Sequence, residues 1–157
     1  MKKLVVYYSL GGNTKRIAMK VARALRADII EIQTVKDYPD DYDVLLGLGK
    51  KEVESGYLPQ IRPMEIDLSK YGAILIGTPV WWSSLAPALN KFASNYQWKD
   101  VNVFPFVTHD GSIGRAVGDF KKTLRGANIA PLLNVKFDEK EQITPDSAIL
   151  DWLLEVE

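Results

Sequence analysis

The 157-residue sequence contains no cysteine. That excludes disulfides, thiolate metal sites, iron–sulfur clusters and thiol nucleophiles as its chemistry. It has one histidine, His109, too few imidazoles for a histidine-ligated metal centre. Net charge is missing as well. Twenty Lys and Arg balance twenty Asp and Glu, so bulk charge names no partner. No Lys/Arg cluster interleaves with aromatics, which argues against nucleic-acid binding. Long apolar runs are also absent. The longest uncharged stretch, Tyr71 to Asn90, carries Gly, Pro, Thr and Ser and does not read as a membrane span. The apolar run Leu4 to Tyr8, after Met1-Lys2-Lys3, is shorter than the roughly 7–15 residues of a signal-peptide core. The expectation is a cytoplasmic protein that does not engage a membrane.

What is present is a 46% hydrophobic chain without repeats, low-complexity tracts or Ser/Gly linkers. This predicts a single domain over residues 1–157 with a sizeable core. Charge is unevenly spread: residues 1–27 hold seven cations and no acid, whereas residues 137–157 hold seven acids and one cation. Solvated helix faces with an acidic tail account for this, and so does a basic first segment near an anion. With neither thiols nor an imidazole cluster, demanding chemistry points to a borrowed organic cofactor.

Two kinds of segment alternate. Leu4 to Tyr8 is a short continuous apolar run, the pattern of a strand buried on both faces. Asp28 to Ile32, Ala73 to Ile76, Val101 to Val107 and Ile129 to Phe137 read as further strands, with Pro105 blurring the extent of the fourth. Helical spacing covers residues 13–26, with Ile17, Val21 and Leu25 recurring every four. It returns over 87–96, over 112–125 (Ile113, Val117, Phe120, Leu124) and over 147–156. Strands joined by helical crossovers predict an α/β fold, doubly wound, with a five-stranded parallel sheet of order 2-1-3-4-5 and helices on both faces. Ligands in such folds sit beyond the carboxyl ends of the strands where the order reverses. That selects the loops at 9–14, 78–85 and 108–114. The connection at 34–63, with a helix expected over 42–54, is longer than a crossover needs and suggests a functional or mobile element.

The first loop, Ser9-Leu10-Gly11-Gly12-Asn13-Thr14, combines hydroxyls, an amide and two glycines before a helix start. Its backbone N–H groups, the helix dipole and the Ser9 and Thr14 hydroxyls would make a phosphate nest. A plain capped helix start uses the same residue types. The nucleoside-triphosphatase signature G-x-x-x-x-G-K-[ST] and the dinucleotide fingerprint G-x-G-x-x-G are both absent. The second loop, Thr78-Pro79-Val80-Trp81-Trp82, places two adjacent indoles in a polar loop, suited either to stacking on a flat ligand or to packing and interface roles. The third, Thr108-His109-Asp110-Gly111-Ser112-Ile113-Gly114, is small and polar, suited to backbone hydrogen bonds at a ring edge. His109 reads as a ring-edge contact, with a proton-donor role as the alternative.

These three loops resemble those of the flavodoxin family. Tyr8 to Thr14 is similar to its S/T-x-x-G-N-T phosphate loop, and Gly77 to Trp82 to the G-[ST]-P-x-W-W segment of one subgroup. The third loop is similar to T-[HY]-G-G-S-G, except that Asp110 stands in place of glycine and Ile113 is inserted. Lys50 to Pro59 looks like the subgroup's K-K-E-x-x-S-G-x-x-P stretch. The resemblance implies a flavodoxin-like fold and flavin mononucleotide (FMN) as cofactor. It implies a site made of Ser9, Leu10, Gly11, Gly12, Asn13, Thr14, Thr78, Pro79, Val80, Trp81, Trp82, Thr108, His109, Asp110, Gly111, Ser112 and Gly114, with no catalytic side chain and no metal. In the family, loop amides and hydroxyls carry the phosphate, usually without a cationic side chain.

The leading reading is an FMN-binding electron-transfer protein that meets a redox partner protein. The alternative is an FMN-dependent NAD(P)H oxidoreductase acting on a quinone-like or other small acceptor. A Tyr covering the outer ring face is missing from the third loop, and so is the acidic surface of dedicated carriers; both features lean toward the alternative. A non-catalytic binding module on the same fold is a third reading.

Overall fold

The computed structural model describes residues 1–156. The chain runs β1 (Lys3–Tyr8), α1 (Asn13–Leu25), β2 (Asp28–Ile32), α2 (Tyr42–Ser55), a 3-10 turn (Leu68–Lys70), β3 (Ala73–Trp81), β4 (Ser84–Leu85) and α3 (Pro87–Ser94). It continues through β5 (Asn102–His109), α4 (Ala116–Thr123), β6 (Asn128–Ile129), β7 (Leu133–Asp138), β8 (Glu141–Gln142) and α5 (Asp146–Val156). The long strands lie in the order β2-β1-β3-β5-β7, all parallel. In order of appearance this is the expected 2-1-3-4-5. β4, β6 and β8 are two-residue additions.

Side-chain alternation in β1 explains the two-sided core. Leu4, Val6 and Tyr8 join Ile74, Ile76, Leu89, Phe92, Val107 and Phe120 on one face, under α3 and α4. Val5 and Tyr7 join Ile17, Val21, Leu75, Phe106, Trp152 and Leu153 on the other, under α1 and α5. No helix among the described residues is long and apolar enough to cross a membrane.

Three expectations need correction. The fifth strand is not continuous over 129–137. It breaks between β6 and β7, where Pro131 lacks an N–H, opposite the part of β5 in which Pro105 lacks one too. The second loop is not a loop throughout. β3 runs on to Trp81 and turns back into β4, pairing Trp81 with Ser84. The helix expected from 112 starts only at Ala116, because Gly114 is in the left-handed region (φ 53°) and the Arg115 N–H is held by the Ser83 carbonyl at 2.7 Å. Ala116, Phe120 and Leu124 are buried, whereas Val117 is exposed.

In the long connection, α2 does not cover the sheet as a crossover helix would. Only Gly49 and Glu52 of α2 are buried, and Gly49 sits against both Trp81 and Trp82. α2 therefore stands at the carboxyl end of the sheet and forms one wall of the predicted ligand region.

Candidate functional site

Ser9, Leu10, Gly11 and Gly12 join β1 to α1. Gly11 and Gly12 have φ of 81° and 99°, a left-handed backbone open to glycine at little cost. Gly12 caps α1 without a side-chain bond, and the first turn of the helix contains no acid. The positive end of the helix dipole is thus not compensated by a side chain. Among the described residues, the N–H groups of Leu10, Gly11 and Gly12 meet no acceptor. Ser9 Oγ accepts from Lys15 N–H at 3.1 Å. An array of open amides at a helix start has the chemistry of an anion site.

Thr14 is buried, and its hydroxyl meets the Thr108 hydroxyl at 2.7 Å. The first and third predicted loops are thereby joined directly. Asn13 donates its side-chain amide to the Glu139 carbonyl (2.7 Å), which brings in the β7–β8 turn.

Beside the loop lies a cleft of about 730 Å³, within the roughly 300–1,000 Å³ typical of cofactor sites. Leu10, Asn13, Pro79, Val80, Trp81, Trp82, Thr108, His109 and Asp110 line it, so all three loops contribute. Ser9, Gly11, Gly12 and Thr14 belong to the adjoining nest and do not line the cleft. Thr78 faces the core: it is fully buried, accepts from Ala86 N–H at 3.3 Å and donates to the Pro79 carbonyl at 2.9 Å. It braces the β3–β4 hairpin. Gly111, Ser112 and Gly114 are exposed and do not line the cleft, with Ser112 Oγ accepting from Gly114 N–H at 3.1 Å.

The two indoles differ. Trp81 is half-buried and sits edge-on to Tyr8 (5.9 Å, 79°) and Tyr38 (5.1 Å, 84°). Trp82 is 45% exposed, donates to the Leu46 carbonyl at 3.1 Å and has the Lys50 ammonium 5.6 Å from its ring centre. Trp82 and Ser83 both have positive φ (48° and 65°), the geometry of a two-residue hairpin turn normally built from Asn and Gly. This backbone strain at the cleft rim is the kind that marks functional sites.

Burial, then the nearby carboxylates of Glu52 and Glu31, raises the Tyr8 phenol well above its usual range. Tyr38 is raised in the same way, by burial and by the 2.7 Å hydrogen bond it donates to Glu52. Neither phenol ionises near neutral pH, so both present neutral rings to Trp81. His109 hydrogen-bonds through Nε2 to Asn134 Oδ1, while its buried Nδ1 has no partner. If Nε2–H donates to that oxygen, Nδ1 is an acceptor left without a partner inside the loop.

Several lining groups were missed by sequence reasoning. Tyr42, Leu45, Leu46 and Gly49 come from α2, and Phe137, Asp138 and Glu139 from the end of β7 and the turn after it. The length of the 34–63 connection was a signal for the first group. Nothing local marked the second, because its approach depends on how β7 is placed in the sheet.

A second cavity of about 700 Å³ lies on the other side of α2, bounded by residues 34–38 and 57–60, with buried Glu52 in its wall.

Among curated protein sequences none matches this chain. Solved structures do. A protein from Bacteroides eggerthii named as a flavoprotein superposes with TM-score 0.82 at 28% identity, over 99% of this chain and 97% of that one. A flavoprotein from Lactobacillus acidophilus NCFM, solved in complex with FMN, gives TM-score 0.77 at 24% identity, over 97% and 98%. The apo-form of the flavoprotein from that organism, solved by NMR, gives 0.67 at 25%, over 96% of each chain. The flavodoxin family profile matches residues 2–146. With that match over most of its length and the sheet order in agreement, the chain belongs to the flavodoxin family.

Proposed function

We propose that residues 1–157 work as one FMN-binding domain in the cytoplasm that transfers electrons between redox partners. The open-amide loop at residues 10–12, beside a cleft walled by indoles, carries this reading. The site fits the cofactor at both ends. The amides of residues 10–14 and the Ser9 hydroxyl would take the phosphate, with Thr14 buttressing the loop through Thr108. Pro79, Val80, Trp81 and Trp82 would lie along the isoalloxazine ring. Thr108, His109 and Asp110 would meet its edge. Gly111, Ser112 and Gly114 shape that loop from behind. When bound, FMN supplies reversible electron and hydride chemistry. The chain's own groups orient it, keep one rim open at Tyr42 and Trp82, and set local charge with Asp110, Asp138 and Glu139.

Titration of the apoprotein with FMN, riboflavin and FAD, followed by visible spectra, tests this. FMN is expected to bind far more tightly than riboflavin, since the nest is built for a terminal dianion. Equal affinities would remove the phosphate site.

The second reading is an FMN-dependent NAD(P)H oxidoreductase. The cavity behind α2 favours it, because Tyr38 in its wall packs edge-on against Trp81 of the flavin cleft. Rapid NADH or NADPH oxidation with a quinone, and no exchange with protein carriers, would favour that reading over a carrier.

A further inference from the structure

The β7–β8 turn lies across the nest, held by three bonds from separate groups. Asn13 Nδ2 donates to the Glu139 carbonyl at 2.7 Å. Arg16 donates to the Lys140 carbonyl at 2.8 Å, its guanidinium resting 5.0 Å from the Phe137 ring centre. Lys140 then returns its ammonium to the Gly11 carbonyl. Glu139 adopts a positive φ of 52° at the tip, which aims the turn back at α1.

We propose that Lys140 is a positioning residue of the phosphate site, resting on the FMN reading above. A trans peptide directs its C=O and N–H to opposite sides. An ammonium seated on the Gly11 carbonyl therefore fixes the Gly12 N–H on the opposite face, toward the nest. Two consecutive glycines would otherwise let this peptide rotate at little cost. The bond also polarises the peptide and strengthens Gly12 N–H as a donor.

Lys140 is moreover the cation seated on the nest backbone itself. Arg16 is committed to the turn, and Lys15 contributes its amide to Ser9. Asp138 at the end of β7 and Glu139 in the turn line the neighbouring cleft and would repel a bound dianion. Lys140 offsets that repulsion over one peptide's thickness. Unlike the charge-free pattern of the family, this nest carries a charge that arrives from the opposite end of the chain.

The test is titration of wild-type, Lys140→Met and Lys140→Arg apoproteins with FMN and with riboflavin, at low and high salt. Lys140→Met is expected to weaken FMN about tenfold and to leave riboflavin within about twofold. It should also flatten the salt dependence of FMN binding. Lys140→Arg should recover most of the loss. FMN affinity unchanged in Lys140→Met overturns the proposal. So does an equal loss for both ligands, which would mean the turn serves only the fold. If the wild-type protein itself binds FMN and riboflavin alike, the phosphate site fails, a result separate from any effect of Lys140.

Discussion

The hydroxyls of Thr14 and Thr108 meet 2.7 Å apart in the protein interior, at the start of α1 and the end of β5. Each is the other's partner, and both are nearly excluded from solvent. Removing one leaves a buried polar atom unsatisfied, whereas removing both leaves none. Thr108→Val should lower apoprotein stability by about 1–3 kcal/mol, and Thr14→Val by a similar amount. The double variant should lose less than the sum, by about 1 kcal/mol. Urea unfolding of the four proteins reads this cycle. Strict additivity would mean that the two hydroxyls do not depend on one another.

Ser83 occupies the second centre of the β3–β4 turn at φ 65°. A side chain there strains the backbone, most of all a β-branched one. Ser83→Val is expected to be less stable than Ser83→Gly by about 1–2 kcal/mol. Chemical denaturation of the two variants measures the difference. Equal midpoints would show that the turn relaxes freely and stores no strain beside the indoles.

How legible was this molecule in its sequence? The strands and helices followed from the alternation of short apolar runs with 3.6-period segments, because both signals are local, and the sheet order from the topology that helical crossovers impose. Leu4 to Tyr8 and the Ile17–Val21 spacing stand where that pattern put them. The left-handed turn at Gly11 and Gly12 was legible for the same reason, as a local pair of glycines beside a helix start. Thr78 misled: its place in the motif hid that β3 continues past it and turns its hydroxyl onto Ala86. Lys140 could not be read at all, and only the length of the 34–63 connection hinted at Tyr42 and Leu46. They reach the site through the packing of α2 against two indoles and through a turn more than a hundred residues from Gly11. Neither placement leaves a periodic trace.

Gly114 and Gly118 separate a required glycine from an incidental one. A Cβ on Gly114 would stand 2.5 Å from the Ser83 Cα and carbonyl oxygen, and its φ is already positive. At Gly118, inside α4, nothing lies within 4 Å. Gly114→Ala should cost about 2–4 kcal/mol, since the neighbour is backbone and cannot swing aside. Gly118→Ala should gain about 0.5–1 kcal/mol from helix propensity. Thermal melts of the two variants should move in opposite directions. A tolerated alanine at 114 would mean that the second and third loops do not interlock as closely as the Ser83–Arg115 bond indicates.

Tyrosine burial sets the alkaline limit. Tyr7 is pushed up to about 12, first by burial and then by Glu31, and Tyr8 and Tyr38 are raised further. Below the ordinary value of 10.0 these phenols are neutral in both folded and unfolded chains, and their contribution to stability is fully present. Above it the unfolded chain releases protons that the folded chain retains. The unfolded state then binds fewer protons, so stability falls as pH rises. Tyr38→Phe removes one such group along with the hydrogen bond to buried Glu52. The variant should be less stable than wild type by about 1–3 kcal/mol near neutral pH, where Glu52 has lost its partner. Its stability should decline less steeply between about pH 10 and pH 12. Lysines titrate over the same range in both proteins, so the difference in slope isolates Tyr38. Urea midpoints measured across that range should converge, and parallel curves would mean that Tyr38 ionises as freely in the folded chain as in the unfolded one.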